Sequence, residues 1–114
     1  MQRSGSIKTE DLGLESAQLL CPRCGGHQIT HIGATFFERD EDAPQEVVTA
    51  VQGQTTSVSV QSATGTLNPS ARRHGVLMHF HCEACSGKGV RIDLAFAQHM
   101  GKTEISWRFD PFGP

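Results

Sequence analysis

The sequence predicts an all-β domain: an antiparallel sheet carrying two cysteine knuckles, with a long inserted hairpin or loop between them. Three observations carry this expectation. Apolar residues recur at period two in several segments, the pattern of a half-buried strand. No segment shows the 3.6-residue apolar period of an amphipathic helix. The four cysteines fall into two Cys-x-x-Cys pairs, Cys21/Cys24 and Cys82/Cys85, each beside a strand-like run.

The elements follow in order. Residues 1–17 are polar, with Ser4, Gly5, Ser6 and Gly13, and read as a flexible N-terminal tail. The domain then spans 18–110. Leu20-Cys21-Pro22-Arg23-Cys24-Gly25-Gly26 makes the first knuckle. Residues 28–39 are rich in Ile, Thr and Phe and read as a strand, and Glu38, Asp40, Glu41 and Asp42 lead into a turn at Ala43-Pro44. Val47, Thr49 and Val51, then Thr56, Val58 and Val60, alternate on either side of Gln52-Gly53-Gln54. This predicts a hairpin, with a mobile arm as the alternative because its other positions are Ser, Thr and Gln.

Residues 62–75 read as a long loop containing Arg72-Arg73-His74, which closes an insert of about 40–75. Val76, Met78 and Phe80 alternate into the second knuckle, Cys82-Glu83-Ala84-Cys85. After a Gly-rich turn at 86–89, Val90, Ile92, Leu94 and Phe96 share one strand face. A turn at 98–102 leads to Thr103, Ile105, Trp107 and Phe109, and residues 111–114 form a short tail. Five or six strands result.

Composition bounds the function. The chain has 114 residues, enough for one domain. Leu, Ile, Val and Phe supply just over a fifth of it, a thin apolar stock that a structural metal would supplement. The formal net charge of −2 excludes a surface that is basic all over, so nucleic acid could be held only by a local patch. There is no apolar run of transmembrane length and no signal-peptide-like run from Met1 to Leu20. The expected location is the cytoplasm, where thiols stay reduced and paired cysteines serve as metal ligands more often than as disulfides.

Zn²⁺ prefers four soft ligands in a tetrahedron, and two residues between cysteines let one tight turn aim both sulfurs at a point. Pro22 stiffens the first turn and Gly25 gives it freedom. Cys21, Cys24, Cys82 and Cys85 are therefore the predicted ligands of one structural Zn²⁺. Iron in the same tetrahedron, disulfides and a redox thiol pair are the lesser alternatives. The spacing is unusual, because 57 residues separate Cys24 from Cys82 where compact sites have about 15–20.

Leu20-Cys21-Pro22-Arg23-Cys24-Gly25-Gly26 resembles the first knuckle of a zinc ribbon, and His81-Cys82-Glu83-Ala84-Cys85-Ser86-Gly87 resembles the second without its proline. More narrowly, the chain is similar to small bacterial and phage proteins of this type. The similarity runs through Phe36-Phe37 with Arg39, Asn68-Pro69-Ser70 with Arg72-Arg73 and Gly75, Phe80-x-Cys82-Glu83, and Gln98-His99 with Gly101, Thr103 and Trp107. This resemblance implies zinc ligation by the four cysteines and brings no further functional residues to transfer.

Other residues suggest partners. Arg72, Arg73, Lys88 and Arg91 could contact a nucleic acid or another anion. The competing expectation is a solvated loop whose arginines pair with the acids at 38–42. Phe36 and Phe37 are adjacent on a strand and must point to opposite faces, so only one can enter a one-sided core and the other marks a partner surface. No nucleophile–base pair or phosphate-cradling loop stands out. The sequence thus predicts a non-enzymatic binding module without a small-molecule substrate. A protein partner or a homodimer is its expected target, and nucleic acid is the alternative.

Overall fold

The computed structural model describes residues 2–13, 15–85 and 91–109. Nine strands form among them: β1 Gln2–Ser4, β2 Thr9–Asp11, β3 Ala17–Leu19, β4 Ile29–Glu38, β5 Gln45–Gln52, β6 Thr55–Ser62, β7 Gly75–Cys82, β8 Ile92–His99 and β9 Lys102–Phe109. Seven build one sheet in the order β1-β9-β8-β7-β4-β5-β6, and β2 pairs with β3 separately. Every pairing is antiparallel. The all-β antiparallel expectation holds.

Turn chemistry sets two of the hairpins. Gly53 has φ +60° and opens a two-residue turn between β5 and β6. Met100 (φ +51°) and Gly101 (φ +77°) both adopt left-handed backbone between β8 and β9, the twist that matches flanking strands.

Period-two alternation explains why this sheet has two differently used faces. On one face Ile92, Leu94, Trp107 and Phe109 pack with Cys21 and Cys82, and Ile7, Leu19, Met78 and Phe80 close around them. Trp107 is fully buried there, and Phe80 meets its ring edge-on at 5.9 Å and 71°. Phe37, Leu77 and Ala95 form a second small core on the opposite face, with Val48 against them. Phe36 and Phe37 divide as their adjacency requires. Phe37 is buried, while Phe36 stays 38 % exposed beside Val47, Val58 and Val60.

Residues 63–74 lie against the sheet, held by polar contacts around Glu46, which is only 2 % exposed. Gln61 Nε2 donates to Glu46 Oε2 at 2.8 Å, Asn68 Nδ2 donates to Oε1 at 3.1 Å, and the Thr66 hydroxyl also donates to Oε2. Asn68 Nδ2 reaches the Arg73 carbonyl, its Oδ1 accepts from the Ser70 N–H, and the Ser70 hydroxyl donates to the Gln98 carbonyl. Gly75 is required beneath this loop, because a Cβ there would lie 2.1 Å from Asn68 Oδ1.

The N-terminus differs from the sequence reading. Residues 1–17 read as a flexible tail, yet β1 pairs with β9 (Gln2↔Phe109) and β2 with β3. These short polar strands are specified by backbone pairing and by Ile7 against the core, so they carry no apolar alternation. They also raise the strand number above the five or six expected. The predicted 45–62 hairpin is present as β5–β6. Val90, the Gly-rich turn at 86–89 and the tail at 111–114 lie outside the described residues.

Burial opposes the charge on Glu46, but the donors Thr66, Gln61 and Asn68 and the nearby Arg39 outweigh it and lower its pKa. A carboxyl with a depressed folded pKa contributes stability that is complete above its unfolded value of about 4.3 and is lost as pH falls through the folded one. Glu46→Gln places an amide against three donors. It should lower stability at neutral pH by about 1–3 kcal/mol and flatten the acid limb of a denaturant-measured stability curve. An unchanged acid limb would show that this carboxylate is not a source of acid lability.

Candidate metal centre

The two knuckles meet because β4 and β7 are neighbours. Their register runs from Phe37↔Gly75 to Ile29↔Cys82, so the insert leaves from one end of the pair and both cysteine turns gather at the other. The Glu83 N–H donates to the Gln28 carbonyl at 3.0 Å and extends this junction past the strands. The long gap between the cysteine pairs therefore closes within one strand pairing.

The first knuckle is a self-bonded turn. The Cys21 N–H donates to the Gly26 carbonyl at 2.8 Å, and the Gly25 N–H donates to the Cys21 carbonyl at 2.9 Å. Gly25 has φ +75°, a conformation costly for residues with a Cβ. The Arg23 N–H points at Cys21 Sγ (3.4 Å) and the Gly26 N–H at Cys24 Sγ (3.3 Å). Such N–H groups stabilise a thiolate.

All four sulfurs lie within 4.8 Å of one another. Cys21 Sγ is 3.7 Å from Cys85 Sγ, and Cys24 Sγ is 3.6 Å from Cys82 Sγ. A tetrahedral Zn²⁺ with Zn–S of about 2.3 Å places its sulfurs about 3.8 Å apart, whereas a disulfide requires about 2.05 Å. All four cysteines are free. The spacing and the soft donor set are compatible with a tetrahedral thiophilic ion.

The centre straddles the core boundary. Cys21 and Cys82 are buried in the Trp107 cluster, Cys85 is half-buried and Cys24 is exposed. The thiols respond accordingly. Burial pushes Cys21 and Cys85 up from the usual thiol range. Burial opposes ionisation of Cys24 too, but the Gly26 N–H and the neighbouring thiols outweigh it and its pKa falls.

Among the described residues, the predicted basic positions Arg72, Arg73 and Arg91 do not gather into one patch. Arg72 is held by Asp42 in a two-pronged pair at 2.8 and 2.6 Å, with Glu41 at 3.4 Å. This is the pairing with the acidic run that the sequence also allowed. Arg91 Nε pairs with Asp93 at 3.0 Å. Arg72 and Arg73 precede one end of β7, and Arg91 precedes the β8 residue paired near the other end, so roughly 20 Å of strand separates them. Lys88 lies outside the described residues.

One buried polar chain escaped sequence reasoning. The Thr35 hydroxyl is 2.9 Å from His79 Nε2, and His79 Nδ1 is 2.6 Å from Asp93 Oδ1. Two acceptors cannot share a hydrogen bond, so Nδ1 carries a proton toward the carboxylate, and Nε2 is bonded to the Thr35 hydroxyl. This chain ties β4, β7 and β8 together and satisfies a side chain that is 3 % exposed. Its only sequence signal was that His79 and Asp93 occupy corresponding polar positions in adjacent strands.

The chain finds no match among family models, curated proteins or solved structures. Its functional reading therefore rests on its own residues.

Metal analysis of protein purified without added metal should find one tetrahedral ion per chain, bound with release of protons. Removing it with a chelator should abolish the β-sheet circular dichroism, and Cys82→Ser, at a buried ligand, should do much the same. A metal-free chain that keeps its thermal transition, or one recovered with oxidised cysteines, would overturn the assignment.

Proposed function

We propose that the chain is a small zinc-ribbon-like binding module, not an enzyme, holding one structural Zn²⁺ on Cys21, Cys24, Cys82 and Cys85. It works in a reducing compartment such as the cytoplasm and acts by contact with a protein partner or with a second copy of itself. The observation that carries this reading is the closed donor set. Four thiols within 4.8 Å of one another can complete the coordination of Zn²⁺, whereas a catalytic zinc keeps one position open for water or substrate. The ion supplies a cross-link between distant parts of the chain.

The contact half of the proposal is supported by the uncovered apolar strip on β4, β5 and β6. Phe36, Val47, Val51, Val58 and Val60 lie on one sheet face and are 36 to 66 % exposed. A contiguous apolar patch on a small domain marks a contact surface more often than scattered exposed residues do. The nucleic-acid alternative has weaker support, because Arg72 and Arg91 are already engaged with carboxylates.

Fluorescence anisotropy with labelled single-stranded DNA and RNA separates the two. At low salt no binding is expected, and Arg72→Ala with Arg73→Ala should change nothing. Binding that weakens with added salt and is reduced by that double substitution would establish the nucleic-acid reading instead.

A further inference from the structure

The two edges of the seven-stranded sheet are built differently. β1 is three residues long and carries Arg3 at its centre, both of which discourage further pairing. β6 has eight residues, Thr-Thr-Ser-Val-Ser-Val-Gln-Ser, and among the described residues pairs only with β5. It holds no charge and no proline, and its ladder with β5 runs unbroken from Gln52↔Thr55 to Gln45↔Ser62 without a bulge. Proteins that keep such an edge apart from other strands usually interrupt it with one of these devices.

The turn determines which backbone groups face outward. Gln52 and Thr55 flank a two-residue turn and exchange both of their ladder hydrogen bonds. Alternation then directs Thr55, Ser57, Ser59 and Gln61 toward β5, and turns the N–H and C=O groups of Thr56, Val58 and Val60 outward. The side chains of Val58 and Val60 lie on the apolar face and are 66 % and 64 % exposed.

From this geometry we infer that β6 is the edge on which a second copy of the chain docks, by antiparallel β6–β6 pairing about a two-fold axis. The inference rests on the binding-module reading and names its partner. Charge selects a second copy. An acidic or basic partner strand would find no counter-charge on β6, whereas two neutral β6 edges meet without a like-charge pair. Register supports it too. With the axis at Ser59, Val58 lies opposite Val60 of the partner subunit on the same face, and both form the outward hydrogen bonds. The apolar strips of the two copies become continuous across the junction, a form of strand addition that joins backbone bonds to side-chain pairs.

Sedimentation velocity on the metal-loaded full chain across the micromolar range tests this. A concentration-dependent dimer is expected, with β6 amides at Thr56, Val58 and Val60 protected from hydrogen exchange only at high concentration. Val58→Pro removes one outward donor, and proline is tolerated where an edge N–H faces solvent. It should weaken the dimer at least about ten-fold while leaving metal content and the thermal transition unchanged. Val60→Lys sets two like charges at the junction without altering the backbone, and should weaken it likewise should the proline variant not fold. A wild type that stays monomeric, or a dimer that both variants leave intact, would overturn the inference. The metal content of the same samples separately reads the module proposal.

Discussion

Most of the molecule hangs on the pairing of β4 with β7. This one ladder sits near the middle of the sheet, with β5–β6 on one side and β8, β9 and β1 on the other. Its ends have different chemistry. At the Ile29↔Cys82 end it joins the two cysteine turns, and at the Phe37↔Gly75 end it receives the insert and the loop that packs back over it. A shift of one residue in this register would send Cys82 to the opposite face and separate the thiols. The Thr35–His79–Asp93 chain fixes the same register by side chains, since its three members come from β4, β7 and β8.

The sheet then solves two different burial problems. Around Trp107 the first knuckle and Ile7 and Leu19 supply apolar cover, and Cys21 and Cys82 form part of that core. On the opposite face Phe37, Leu77 and Ala95 are too few to exclude water by themselves. That face relies on polar cover, with the 63–74 loop anchored to Glu46 and the strand ends through Asn68 and Ser70. Such an arrangement is stable only when each buried polar group finds a partner, which explains why Gly75, with no side chain to displace Asn68, lies beneath the loop.

The sequence made some of this legible for clear reasons. Ile92 and Leu94, Val76 and Met78, and Val58 and Val60 alternate strictly, so their strands could be read directly. The cysteine pairs carried their own local geometry despite the long gap. The opposite fates of Phe36 and Phe37 followed from adjacency alone. What stayed hidden depended on partners distant in sequence. Arg3 lies opposite Arg108, where burial and then the Arg3 charge lower the Arg108 pKa, a pairing no pattern rule would choose. His79 and Asp93 are buried through contacts with each other and with Thr35 across three strands, which the pattern of no single strand displays.

The connectivity of the β4–β7 ladder has a consequence for the order of folding. β5–β6 and β8–β9 close through two-residue turns and can form early, within a local stretch of chain. β4 cannot meet β7 until the whole intervening insert has been gathered, so this pairing closes a much longer loop than either hairpin does. A metal ion gripped first by Cys21 and Cys24 would change that step. It would make the search by Cys82 and Cys85 a capture at raised effective concentration. The ion would thus set the rate at which the two halves of the sheet find each other as well as the stability of their union.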